Sequence, residues 1–524
     1  MRSLAVTHES GAFAALARGA WLALLLLASG CAQLPPRPAM PAQTAVPVNT
    51  TGTELDRLIA AEEERRPGES GFRLVSDGPE GFAIRAQSAR IAGRSVDVQT
   101  YIWNGDTTGL ALASVLLAAA DRGVKVRLLV DDMDARAKND GLSALDAHPN
   151  IEVRMFNPLP SRSGTLAFVV DFLGDSKRLN HRMHNKTWIA DNRIAIVGGR
   201  NLGDEYFGAD AEVNFVDLDF AMIGPVVRDA SASFDRYWNS EVSYPISLLS
   251  PENVNPESLE RLRGTLTAAM EEAKKSRYAE AMRRDDNLTR LVHGDRHVAW
   301  TSTYKFISDD PSKATLDPDR KNSHVLAAIV PLLRDAQKDM TIISPYFVPG
   351  KDGTSGLARS AQAGKGIRIL TNSLAANDVA MVYGAYEQYR QELLESGVQL
   401  WELKPLPGSK TTYSMFGSGG SSLHTKGLSV DEETLVVGSY NLDARSTELN
   451  CEQVVMVGSP VLARQFMGIF DQQVSGDRSW KVTLSDGHTS WTDGLKTYDS
   501  APEASTGRKF QAWLAGVLPV EAQL

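Results

Sequence analysis

The chain has 524 residues and a formal net charge of −9, with 43% hydrophobic and 23% charged residues. That balance describes a globular protein with room for two or three cores. It argues against a disordered chain and against non-specific nucleic-acid binding, which depends on cationic neutralisation of phosphates.

The first thirty residues stand apart. Arg2 and Arg18 precede Gly19-Ala-Trp-Leu-Ala-Leu-Leu-Leu-Leu-Ala-Ser-Gly30, an apolar run too short to span a bilayer but suited to the core of a secretory signal. It ends in Ala28-Ser29-Gly30-Cys31, which resembles a bacterial lipobox. Residues 1–30 are therefore expected to be a lipoprotein signal peptide, with Cys31 lipidated. Losing Arg2, Glu9 and Arg18 leaves the remainder one charge more negative. Ala32 follows the cysteine where an aspartate would mark retention. The expected location is a membrane-anchored lipoprotein facing the periplasm, with the outer membrane favoured and the inner membrane open. Cys451, the other cysteine, is expected to be a small buried hydrophobe.

Residues 31–74, rich in Pro, Ala and Thr and then acidic, read as a tether merging into a first short helix. The first domain, 75–249, carries β-branched strand patterns at 95–103, 123–131 and 150–158 and a helical pattern at 109–122. Strand–helix–strand alternation predicts an α/β unit with a largely parallel sheet. Residues 165–173, with Phe168 and Phe172, are unusually apolar for a loop and either dock on lipid or line an acyl groove, or belong to the core. Residues 250–300 read as a connector whose charged helical stretch, 257–284, faces solvent. The second domain, 301–475, repeats the strand order at 340–346, 366–371 and 397–405. In the C-terminal extension, 476–524, Phe510, Trp513, Leu514, Val517 and Leu518 fall at helical spacing, as a helix capping the domain or lying in a membrane interface.

Each domain carries one copy of the same motif. His184-Asn-Lys186-Thr-Trp-Ile-Ala-Asp191 leads to Gly198-Gly199-Arg-Asn201, and His424-Thr-Lys426-Gly-Leu-Ser-Val-Asp431 leads to Gly438-Ser439-Tyr-Asn441. A period of roughly 240 residues is too long for a solenoid repeat and fits a duplicated domain. His and Lys two apart on a strand share a face, setting an imidazole beside an ammonium, a pairing suited to an anionic phosphodiester. Two copies together supply two imidazoles, one to attack phosphorus and one to protonate the leaving oxygen. The halves are expected to pack about a pseudo-twofold axis with the site at their seam. Each imidazole also needs a carboxylate on its other nitrogen to fix its tautomer. Glu452 suits the second copy. Asp217 is chosen for the first over Glu212, because Asp217 sits in an apolar stretch where a carboxylate needs a reason. Asp191 and Asp431 are motif members expected to brace the fold. His181 and His184 suggest no metal site, since no cysteine or carboxylate cluster completes one.

The doubled motif resembles the phospholipase D superfamily in its two-motif, single-chain form. Residues 98–103, 182–186, 198–207, 308–311, 371–378 and 518–520 are similar to bacterial cardiolipin synthases of the C type. That resemblance implies ping-pong phosphatidyl transfer without a cofactor. His184 would be the nucleophile and His424 the acid/base, with Lys186, Lys426, Asn201 and Asn441 on the non-bridging oxygens and Ser439 and Gly199 at the substrate. The expected activity is cardiolipin synthesis from a phospholipid donor and phosphatidylglycerol. The alternatives are a hydrolytic phospholipase D, a nuclease of the same superfamily, and a lipid binder that has lost catalysis. The expected partners are membrane phospholipids, on a monomer that is an internal pseudo-dimer.

Overall fold

The computed structural model describes residues 34–48, 52–135, 139–162, 164, 171, 174–210, 214–273, 288, 298–315, 323–405 and 423–517. The first half builds one sheet from β1 (Ser70–Val75), β2 (Ser95–Thr100), β3 (Lys125–Asp131), β4 (Ile151–Phe156), β5 (Thr187–Ala190), β6 (Ile194–Gly198), β7 (Asp219–Ile223), β8 (Ser243–Pro245) and β9 (Ala299–Thr301). Their order is β8-β4-β3-β2-β5-β6-β7-β1-β9. The second half supplies β10 (Tyr304–Ser308), β11 (Asp339–Ile343), β12 (Gly366–Asn372), β13 (Gln399–Leu403), β14 (Gly427–Val430), β15 (Thr434–Gly438), β16 (Gln453–Gly458), β17 (Ser479–Ser485), β18 (His488–Thr492) and β19 (Thr497–Tyr498). These run β10-β16-β15-β14-β11-β12-β13-β17-β18-β19. Aligned on the His-Lys motifs, β2 to β7 correspond to β11 to β16, and β1 to β10. The fold is α/β, duplicated about a pseudo-twofold axis.

The sheets are mixed, not largely parallel. Among the described strands only β2-β3-β4 and β11-β12-β13 are parallel; the motif strand β5 pairs antiparallel with both β2 and β6. The cause is local. Asp191 and Asn192, at φ of 54° and 56°, turn β5 straight back into β6, and so short a link cannot make the crossover a parallel pair needs.

The expected boundaries also shift. β1 is a full strand paired with β7, so the first domain starts before residue 75. Helix Glu54–Arg65 buries Leu55 and Ile59 on it. The tether is not free along residues 34–48: Gln43 donates to Glu152 at 2.7 Å and accepts from Trp238 Nε1 at 3.1 Å. In the connector, helix Pro256–Ala273 buries Leu259, Leu266 and Ala273 and packs on helix Thr107–Asp121, so only its other face is solvated. The C-terminal extension completes the second sheet, with β17 antiparallel to β13. Phe168 and Phe172, like Glu212 and residues 1–33, lie outside the described residues.

Two apolar cores each belong to one half, while a third is shared. It joins Phe72, Met183 and Phe220 from the first half to Leu423, Cys451 and Val455 from the second. Helix Val226–Trp238 also reaches across to β10, and helix Pro460–Gln473 to β1. Phe234, Trp238, Phe466 and Phe470 on these helices are fully buried, each stabilising by about 1.5–3 kcal/mol. The seam is as much a protein interior as either domain.

Candidate active site

Both motif histidines sit just ahead of their strands, where the two halves meet. Met183 forms an isolated bridge with Cys451, and the His184 N–H donates to the Cys451 carbonyl at 2.9 Å. Leu423 bridges Val216 in the same way, and the His424 N–H donates to the Val216 carbonyl at 2.9 Å. The residues following those two partners are Glu452 and Asp217. Each therefore arrives at the imidazole of the opposite half. His184 Nδ1 lies 3.0 Å from Glu452 Oε2, and His424 Nδ1 lies 2.6 Å from Asp217 Oδ2. The two carboxylates are the expected ones, but the pairing within each half is overturned: the pairs are crossed.

The carboxylates are themselves held. A Cβ on Gly199 would stand 2.2 Å from Asp217 Oδ1, so glycine is what admits this carboxylate, and the Leu218 N–H donates to it at 2.8 Å. At the matching position Ser439 donates its hydroxyl to Glu452, as does Ser446 at 3.1 Å. Ser439 also offers its carbonyl to His184 Nδ1 at 3.1 Å. Gly199 and Ser439, expected at the substrate, thus shape and orient the carboxylates. Gly438 permits a second close approach, since a Cβ there would meet the Gln453 carbonyl at 2.1 Å.

The electrostatics follow from burial. Desolvation pulls the His184 imidazole down to about 4, with Lys186 and Lys426 adding to it against the pull of Glu452. His424 is driven well below its usual range by burial, then by Lys426 and Lys186. Both rings are neutral at pH 7, and with Nδ1–H donated to a carboxylate each leaves the Nε2 lone pair available. Burial also lowers Lys186 to about 7 and Lys426 to about 8, against the attraction of Glu452 and Asp217. Burial alone would raise Glu452, but His184 and Lys186 outweigh it and hold the carboxyl low; Asp217 stays raised by its burial. Each ammonium donates to the carbonyl of its own histidine at 2.6 Å, which folds it back beside the ring. Asn201 accepts from the Ile102 N–H at 3.2 Å, whereas the buried Asn441 amide oxygen has no partner among the described residues.

The arrangement can hold an anionic phosphodiester between two neutral imidazoles and two ammonium groups. The family described as "Cardiolipin synthase, PLD-like domain" matches residues 86–238 and 329–474. The chain belongs to this family. It is 38% identical over 467 residues to cardiolipin synthase C of Escherichia coli K12, covering 87% of this chain and 97% of that protein. It is 26% identical over 381 residues to a cardiolipin synthase of Halalkalibacterium halodurans, covering 72% of this chain and 61% of that one. Among solved structures, phosphatidylserine synthase of Haemophilus influenzae aligns with a TM-score of 0.55 at 15% identity, over 86% of this chain and 95% of that one, which shows a common fold.

Other residues of this family member are placed by the same geometry. Asp191, at the far end of β5 from Lys186, accepts from the N–H groups of Gly93, Arg94 and Ser95 at 3.0, 2.7 and 3.1 Å. Asp431 does the same for Gln337, Lys338 and Asp339. Grouped with the catalytic residues through the motif, both are braces, one strand length from the imidazoles. His181 donates from Nδ1 to the Leu449 carbonyl at 2.8 Å, and among the described residues no group of three His, Cys, Asp or Glu could hold a metal. Cys451 is fully buried, its thiol pushed up to about 12 by desolvation.

Sequence reasoning missed several neighbours. Asp131 takes the Met183 N–H at 2.8 Å, and Asn372 takes the Leu423 N–H at 3.3 Å. They fix the residue before each histidine from equivalent strand ends, a match that laying one half over the other would expose. Tyr101 meets His184 edge-on at 5.4 Å, while Tyr206 and Phe215 flank His424 at 5.2 and 5.6 Å.

The lysine shifts give a pH profile. Rising pH removes the Lys186 proton near 7 and the Lys426 proton near 8, whereas His184 stays neutral down to about 4. With a soluble phosphodiester, kcat/KM is expected to fall as pH rises from about 7 to 9, as the phosphate clamp loses charge. Bound phosphate stabilises the ammonium groups, so the limb in kcat should lie at higher pH. A kcat/KM that climbs across that range would contradict the assignment.

Proposed function

We propose that the chain makes cardiolipin by transferring a phosphatidyl group from a phospholipid donor to phosphatidylglycerol through a phosphohistidine. The class of reaction, phosphatidyl transfer, follows from the family. The observation that carries the mechanism is the pair of neutral imidazoles, each backed by a carboxylate, beside two buried ammonium groups. His184 Nε2 attacks phosphorus, forming the P–N bond as the P–O bond to the donor's leaving alcohol breaks. Burial first, and then the lysine charges, keep His424 neutral in the empty site; the arriving phosphate anion offsets those charges and favours the imidazolium, so His424 takes up a proton on binding and gives it to that alcohol. His424 then removes a proton from the acceptor hydroxyl. The resulting alkoxide attacks phosphorus, and the P–N bond breaks to restore His184. Lys186, Lys426, Asn201 and Asn441 hold the non-bridging oxygens and stabilise the charge that builds on them.

Water, at roughly 55 M, competes with the alcohol, and transfer wins only where the site positions the alcohol and excludes water. The purified enzyme on mixed phosphatidylglycerol and phosphatidylethanolamine vesicles is expected to yield cardiolipin as its main product. Polar substitution of Phe168 and Phe172 should shift the products towards phosphatidic acid. Phosphatidic acid and free head group with no cardiolipin from the parent would instead establish the hydrolase. Anchoring through a lipidated Cys31 on the periplasmic side belongs to the same proposal. Producing cells fed labelled fatty acid would give a labelled chain from the parent and none from Cys31→Ser; a labelled serine variant would refute the anchor.

A further inference from the structure

Among the described residues the large exposed hydrophobic side chains are few, and three lie on the C-terminal helix Thr506–Val517: Phe510 and Trp513, each 59% exposed, and Val517 at 63%. The helix has two unlike faces. Arg508, Ala512 and Ala515 are buried, and the helix lies against Ala380–Glu395 so closely that a Cβ on Gly384 would meet the Ala512 carbonyl at 2.0 Å. Phe510, Trp513 and Val517 fall on the opposite face at helical spacing, and the two rings stack at 5.7 Å. The helix does cap the domain, but through Arg508, Ala512 and Ala515, while Phe510, Trp513 and Val517, expected on the capping face, are exposed. A cap alone would be better served by polar residues on the outer face.

The place of this face is informative. Arg508 donates to the Leu374 carbonyl at 2.8 Å, tying the helix to the loop between β12 and Ala380–Glu395. At the start of that loop Asn372 fixes Leu423, the residue before His424, and at its end Asp378 acts electrostatically on Lys426. In a chain of net charge −9, the helix has no acidic residue, and Lys509 is exposed beside Phe510. Among the described residues no helix is long and apolar enough to cross a membrane.

We propose that Phe510, Trp513 and Val517 dock the enzyme onto the surface of a bilayer containing anionic lipid, on the side of the second domain tied to the loop that reaches Leu423 and Lys426. Stacked aromatic rings with a flanking lysine suit the boundary between head groups and acyl chains, and a rigidly seated helix loses little entropy on contact. The inference rests on the phosphatidyl-transfer reading only in that lipid is the substrate.

The test uses the mature chain from residue 31 with Cys31→Ser, so that neither the apolar 19–30 run nor lipidation contributes, with and without Phe510→Ser plus Trp513→Ser. Flotation with phosphatidylglycerol and phosphatidylethanolamine vesicles is expected to show at least tenfold weaker binding for the double variant. Brominated lipids should quench part of the parent's tryptophan emission and less of the variant's. Turnover of a monomeric short-chain phospholipid should stay within twofold, which excludes misfolding. Equal flotation of both proteins would overturn the proposal. So would equal losses on vesicle and monomeric substrate, or an aromatic face occupied by a second copy in solution, seen as a dimer that the double variant abolishes. Flotation by a parent that transfers on neither substrate would sink the enzymatic reading and leave the docking face standing.

Discussion

Replacing His184 with alanine is expected to lower kcat by at least about 10⁴-fold, and His424→Ala should do the same, because nucleophile and acid act as one unit. The two losses should differ in kind. With His184 absent no phosphorus–nitrogen bond can form. With His424 absent, a donor whose leaving group needs no proton, such as a p-nitrophenyl phosphodiester, should still load His184 and then stall. Acid quench with a labelled donor reads this directly: label retained by His424→Ala and none on His184→Ala. The opposite result would reverse the two roles. Turnover within tenfold of the parent in either variant would remove the shared site altogether.

The second large effect tests the crossed pairs. Glu452→Gln and Asp217→Asn should each lower kcat by about 10²–10⁴-fold, the scale on which an imidazole depends on a carboxylate for its tautomer. Since Glu452 faces His184, its loss should persist with every donor. Since Asp217 faces His424, its loss should shrink in the loading step when the leaving group needs no proton. Combining Glu452→Gln with His184→Ala should add little to His184→Ala alone. If Asp217→Asn instead tracked His184, with a deficit indifferent to the leaving group, the pairing drawn from the hydrogen bonds would be wrong.

Much of this site is legible in the sequence alone. Two imidazoles, two ammonium groups and a duplicated α/β frame follow from motif spacing, and Asp217 stands out as a carboxylate among Phe215, Leu218 and Phe220. The crossing was not legible. It depends on Met183 lying beside Cys451 and Leu423 beside Val216, contacts between stretches far apart in sequence that no local pattern encodes. Ser439 and Gly199 were misread for the same reason, since what each touches is set by a neighbouring strand. Some misses were avoidable. Leu259, Leu266 and Ala273 recur at a spacing that marks one helix face, so the connector helix could have been docked from its sequence. The Asp191–Asn192 turn likewise announces a hairpin within a sheet that was expected to be largely parallel.

The crossed pairs also bear on how such a chain is made and how it changes. Synthesis delivers His184 to the folding chain long before Glu452, so a nascent or broken chain holding only the first motif has an imidazole with no carboxylate to orient it. Fragments ending before residue 452 lack the carboxylate that orients His184 and are expected to turn over lipid far more slowly than the whole chain. Inheritance is bound by the same geometry. After the ancestral duplication neither copy could drift alone, because a change at 217 is felt at 424 and a change at 452 at 184. Substitutions tolerated in one half should be found matched by partners in the other, a correlation running across the seam and absent within each repeat.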